Sequence, residues 1–183
     1  MPSNATTPRP DHGAEEAARL GKTRSEHWPA VEHAFRQAHP RCAACADGAP
    51  EVAVQVHHIN PFHYVTHVGR PDLELDPRNL IGLCEDEQGR PAQDHHLLIG
   101  HLGNFKEGNL LVKADAAGRY HAMQKPALLA DPELQSEERN GRIKALDLMS
   151  PAELTAFRAR LDTELPPDPT ILAKYNLKIT PAG

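Results

Sequence analysis

Apolar residues recur with two different periods along this chain, and the changes of period mark out its elements. Trp28, Val31, Phe35 and Ala38 fall at helical spacing behind Ser25, which is placed as an N-cap, and His39-Pro40 ends the run. Val52, Val54 and Val56 then alternate with polar or small residues, which predicts a strand over residues 51–58. Residues 79–84, NLIGLC, are short and apolar enough for a second strand. Between the two strands lies a loop of about twenty residues with one helical turn near 62–66; loops of this length inside a compact domain are commonly functional. The polar insert EDEQGRPAQ precedes DHHLLIGHLGNF, a predicted helix with Asp94 near its start and Gly103 near its end. A further helix is expected around residues 113–122.

Outside this stretch the pattern changes. Residues 1–24 are rich in Pro, Ala and charge without an apolar period, and are expected to be mobile. Residues 25–125 carry the strand and helix signals of one domain, and 126–183 read as a helical extension with an extended, Pro-punctuated tail. Asp131-Pro-Glu and Ser150-Pro-Ala-Glu153 both look like helix starts, the second with the serine and glutamate of a capping box. Leu154, Phe157, Leu161 and Leu165 form a stripe that packs on its own domain, with a partner helix as the alternative. No internal repeat is present. Short strands among helices make the fold class α+β.

Composition narrows the picture. The chain has 183 residues, enough for one domain with extensions or for two small ones. Aromatics make up only 4%, so the core is aliphatic and small, the kind that usually needs a metal or disulfide staple. A formal net charge of −5 does not announce a nucleic-acid binder. A metal on neutral histidines, however, adds positive charge that this count omits. Lys22, Arg24, Arg36 and Arg41 gather around the first cysteines, as a phosphate track or as ordinary solvated charges. No segment approaches the roughly 20 apolar residues of a membrane span. The N-terminus lacks the apolar core of a signal peptide, so a cytoplasmic location is expected.

Cysteine and histidine carry the chemistry. Three cysteines cannot all pair with one another, and Cys42-Ala-Ala-Cys45 reads as half a zinc site. A redox dithiol is the alternative, but the βαβ pattern that normally accompanies it is not visible. Two of the 12 histidines, His57 and His58, stand side by side just before Asn60-Pro61. Neighbouring side chains on a strand point to opposite faces, so the strand must end there if both serve one site. His63 and His67, four apart, read as loop residues or DNA contacts, with metal binding as the alternative if their segment is helical.

Taken in order, WPAVEHAFRQAHPRCAAC, VHHINPFH, LDPRNLIGLC and HHLLIGHLGN resemble the HNH endonuclease family, specifically its zinc-stapled bacterial branch. The match spans residues 28–109. Each motif is weak alone; their order and spacing carry the resemblance. It implies a ββα-metal core (the His-Me finger) with flanking helices and a structural zinc knuckle. His58 takes the place of the general base, and Asn79 that of the middle Asn which fixes the hairpin loop. His57 and His96 stand where the family has ligands of a catalytic divalent metal. His101 lies five residues on, about 140° further round an α-helix, as a third ligand or a phosphate contact. Imidazole ligands favour Mn, Ni, Co or Zn over Mg, which can still support activity.

Family members commonly close a structural zinc site with a second cysteine pair after the second strand. Here Cys42, Cys45 and Cys84 are present and the final cysteine is missing; His95 occupies its place, with EDEQGRPAQD looping out between ligands. A Cys3His zinc site is therefore expected, against a degenerate or empty one. The implied activity is one-metal hydrolysis of DNA, with Lys22, Arg24 and Arg41 as phosphate contacts. Two other readings stand beside it. One is a non-catalytic, zinc-stabilised nucleic-acid-binding or protein-binding module. The other is the same nuclease acting as a bacterial toxin or defence effector with a cognate inhibitor protein.

Overall fold

The computed structural model describes residues 18, 23–49, 52–86 and 92–180. The expected mobile N-terminus, apart from these few residues, lies outside them, as do Lys22 and residues 87–91 of the polar insert. Helix α1 (Trp28–Ala38) buries Trp28, Val31 and Phe35, the stripe that its spacing predicts. Its N-cap is His27 rather than Ser25. Ser25 instead shapes the turn before the helix, accepting the His27 N–H through its hydroxyl and the Trp28 N–H through its carbonyl. The His39 N–H donates back to the Phe35 carbonyl and Pro40 bars a further turn.

Among the described residues the sheet has two strands. β1 (Val54–His58) and β2 (Leu80–Cys84) run antiparallel, with His57 opposite Ile81 and His58 opposite Leu80. Their connection is more structured than its sequence predicts. It holds α2 (Phe62–His67), α3 (Asp72–Leu75) and a 3-10 turn (Pro77–Asn79). Both helices are too short to show a period. What stabilises them is burial: Tyr64, Val65 and Leu73 form one core with Ile143, Leu146, Phe157 and Leu161 from the C-terminal region.

That region is not an appendage. α4 (Val112–Ala117) stops at Gly118, short of the expected end at 122, and α5 (Lys125–Ala130) follows. Leu128 and Leu134 pack in the core that contains Leu83, Ile99 and Leu102. Asp131-Pro-Glu starts only a turn, in which the Asp131 carboxylate accepts the Leu134 N–H. α6 (Pro151–Glu164) carries the full capping box of Ser150 and Glu153. The tail is helical where an extended chain is expected: Asp168 accepts the Thr170 N–H and opens α7 (Pro169–Lys174). An Asp N-cap before a first-turn Pro is a local helix signal, and it outweighs the surrounding prolines.

Arginines fasten α6 to the connection between the strands. Arg70, fully buried, donates to Asp72, to Asp162 at 2.8 Å and to the Leu165 carbonyl at 2.8 Å. A charge so deeply buried persists only when fully paired. Arg160 reaches the Asn60 side chain at 2.8 Å, just past the end of β1. The architecture is thus mixed α/β, a small antiparallel hairpin enclosed by short helices. Among the described residues no helix is long and apolar enough to cross a membrane.

Candidate functional site

Two clusters of ligand-type side chains lie against the hairpin, one at its open end, where Cys84 faces Val54, and one at His57, opposite Ile81. The first gathers Cys42 and Cys45 from the turn after α1, Cys84 from the end of β2, and His95. The His95 Nδ1 lies 3.3 Å from the Cys42 Sγ, 3.6 Å from that of Cys45 and 3.4 Å from that of Cys84, and the Cys45 and Cys84 sulfurs are 3.9 Å apart. Zinc ligands at about 2.3 Å for sulfur and about 2.0–2.1 Å for nitrogen stand about 3.5–3.8 Å from one another in a tetrahedron, so the cluster matches that ion.

Its surroundings fit as well. The His95 Nε2–H donates to the Met123 carbonyl at 3.0 Å, which leaves Nδ1 as the ligand atom. Burial pulls the His95 pKa down, but the hydrogen bond to Cys84, its charge and the Met123 carbonyl outweigh that and leave it raised. Hydrogen bonds from the Cys45 and Cys84 thiols hold Cys42 down at about 3, while Cys42 and then Cys84 push Cys45 up. This Cys3His set can hold a metal such as zinc.

The second cluster is His57, His96 and His101, each presenting a ring nitrogen within 4.8 Å of the others. His57 projects from β1 on the side opposite His58. Its Nε2 is buried and has no hydrogen-bond partner. Burial, followed by the neighbouring His101, His96 and His58, lowers its pKa well below 6.5, so the ring is neutral and can ligate. The His101 Nδ1–H donates to the Glu107 carbonyl at 2.8 Å, which leaves Nε2 as its lone-pair nitrogen.

His96 and His101 meet because their segment is not the α-helix that the pattern predicts. It is a π-helical turn (His96–Gly100), closed by the His101 N–H on the His96 carbonyl at 3.1 Å. Closure over five residues widens the turn and brings residue i+5 toward the face of residue i, so most of the α-helical offset is lost. Left-handed backbone at Leu102 and Gly103 ends the turn. Gly100 lets the turn approach the strand: a Cβ there would come within 3.2 Å of the His57 Cε1 and Nδ1.

His58 lies on the other face of β1, its ring 4.4 Å from Trp28 and 6.0 Å from Phe62. Its Nε2–H donates to the Glu74 carbonyl at 3.0 Å. Asn79 is fully buried, and its amide makes four hydrogen bonds, to the Asn60 N–H, side chain and carbonyl and to the Leu73 carbonyl. It therefore ties the end of β1 to α3 and the start of β2.

The expected phosphate contacts are scattered. The Arg24 guanidinium turns inward over the rings of Trp28 and Phe62, 3.9 Å from Glu74. Arg41 is exposed and lines a surface cavity of 630 Å³ beside the cysteine turn, together with Arg78 and Lys113. His63 is buried on α2, apart from both clusters. Sequence reasoning misses Glu85, Asn109 and Glu107. Glu85 and Glu107 sit in polar stretches with no motif. Asn109 is buried and donates both to the Ile99 carbonyl and to Asp115, which anchors the π-helical turn from outside. No protein-family model, curated protein or solved structure matches this chain.

Proposed function

We propose that this chain is a metal-dependent endonuclease of the HNH type, hydrolysing DNA phosphodiester bonds with one divalent ion and a histidine general base. The observation that carries the reading is the division of labour at the end of β1. His57 joins His96 and His101 as a ligand set, while the neighbouring His58 is held by the Glu74 carbonyl with Nδ1 as its basic nitrogen. The hairpin with the π-helical turn across it serves as the ββα-metal core that the resemblance implies.

A divalent cation on three imidazoles supplies Lewis-acid stabilisation at the scissile phosphate. His57, His96 and His101 would hold such an ion without adding negative charge of their own, which would leave it attractive to phosphate oxygens. His58 takes the proton of the attacking water, a task suited to imidazole at neutral pH. The Glu74 carbonyl fixes its tautomer and ring direction. Asn79 keeps the end of the strand rigid so that the two imidazoles hold their relative positions. An all-imidazole set favours Mn, Ni, Co or Zn over Mg.

Plasmid nicking after metal stripping and re-addition tests this. Cutting is expected to return with the metal and to fall by about 10²–10⁴-fold in His58→Ala. Equal cutting by both proteins would remove His58 as the base. The 6% exposure of His58, between Trp28 and Phe62, favours a second reading, in which a non-catalytic zinc-stabilised module binds nucleic acid. Zinc-loaded protein that binds DNA but does not cut it under any of these metals decides for that module.

A further inference from the structure

Two pairs of adjacent residues join the clusters. Cys84 ends β2 in the Cys3His set, and the next residue, Glu85, turns to the other set with its Oε2 3.3 Å from the His96 Nδ1. His95 completes the Cys3His set, and the next residue, His96, belongs to the three-histidine set. Glu85 is 4% exposed, and its backbone N–H donates to the Ala53 carbonyl at 3.2 Å, one residue past the paired strands. The His96 Nδ1 is itself buried and has no aligned hydrogen bond. Glu85 is not among the groups whose ligand atoms fall within 4.8 Å of one another, so its carboxylate faces the His96 ring from outside that triangle. Carboxylates in this position orient metal-binding imidazoles and strengthen them as ligands.

We propose that the two clusters are coupled through Cys84-Glu85 and His95-His96, with Glu85 as the positioning residue of the three-histidine set. Zinc in the Cys3His set draws Cys84 and His95 to one point. Consecutive Cα atoms are only about 3.8 Å apart, so fixing those two residues also fixes where Glu85 and His96 start. Without zinc, the ends of the intervening insert are joined at its surface by Lys125, which bridges Asp86 at 2.7 Å and Asp94 at 3.3 Å, and that exposed bridge does not fix the backbone at Cys84 and His95. The inference rests on reading the three histidines as a metal centre and is independent of whether DNA is cut.

The test is a Co²⁺ titration of the metal-stripped full chain, followed by absorption and calorimetry. Thiolate-to-cobalt bands report the Cys3His set, and a second binding step without them reports the three histidines. Glu85→Gln is expected to leave the first step unchanged and to weaken the second by about 10–100-fold. In a separate calorimetric titration with Mn²⁺, which thiolates bind poorly, wild-type protein with zinc preloaded in the Cys3His set is expected to bind the ion at least tenfold more tightly than metal-stripped protein. A second Co²⁺ step within twofold of wild type in Glu85→Gln, equal Mn²⁺ affinity with and without zinc, or no binding at the three histidines at all overturns the proposal. Because Glu85→Gln keeps all four zinc ligands, a folding failure does not confuse the result. A coupled second ion without cleavage under any metal sinks only the endonuclease reading; cleavage with a silent Glu85→Gln sinks only the coupling.

Discussion

The two ligand clusters meet in the chain at His95 and His96, yet they are built to different ends. The Cys3His set has four ligands at tetrahedral spacing, three of them buried, and a carbonyl behind its imidazole. The three-histidine set has one buried and two half-buried members and no cysteine. A closed, thiolate-rich set holds structure together, whereas a three-ligand set keeps a coordination position open for chemistry. The difference teaches that one hairpin can carry two ligand sets of different chemistry if adjacent residues are sent to opposite clusters.

The largest expected effect breaks the staple. Cys45→Ser, or exhaustive chelation, is expected to remove zinc and abolish the cooperative thermal transition, a loss comparable to the whole stability of a small domain, about 5–15 kcal/mol. Calorimetry with metal analysis checks it. A Cys45→Ser protein that melts like wild type would show that the cluster is not structural.

A smaller effect concerns pH and the second set. His57 has its pKa depressed below 6.5 by burial and then by the three neighbouring histidines. Between its folded value and 6.5 the unfolded chain therefore binds more protons than the native one. The resulting stability is complete above pH 6.5 and is lost as the pH falls below it. With zinc retained and the three-histidine set stripped, urea midpoints should decline below that pH, and His57→Gln should flatten the decline. Parallel curves for the two proteins would remove His57 as the titrating group.

The smallest effect sharpens the comparison without removing a ligand. In Gly100→Ala the new methyl meets the His57 ring at 3.2 Å and Leu83 at 3.4 Å. Crowding that costs about 1 kcal/mol should weaken the second Co²⁺ step about fivefold and leave the thiolate bands untouched. An effect on the first step instead would place the strain in the core rather than at the histidines.

Several of these features are legible in the residues alone. The stripe of α1, the two strands and the capping box of α6 all follow from local period or chemistry. Cys42 and Cys45 were readable as half a metal site from their spacing, whereas Cys84 and His95 joined them only through the family resemblance. The convergence of His96 with His101 was not legible. An α-helical reading sends them apart, and the π-helical turn that unites them is held by Asn109 on the Ile99 and Gly100 carbonyls. The inward turn of Arg24 likewise depends on Trp28, Phe62 and Glu74 meeting in space.

The sequence by itself determined the ligand chemistry, the hairpin and the helix starts that carry their own caps. These depend on side-chain type and on neighbours a few residues away, where few alternatives compete. The tertiary structure decided which imidazoles meet, that the connection between the strands is helical, and that side chains from Leu128 to Leu161 complete the core. Those outcomes rest on bonds such as Arg70 to Asp162 and on burial of Phe157 against Tyr64, between residues some ninety positions apart. Such contacts reward the local conformation only after the chain has closed on itself, and for that reason no local period announces them.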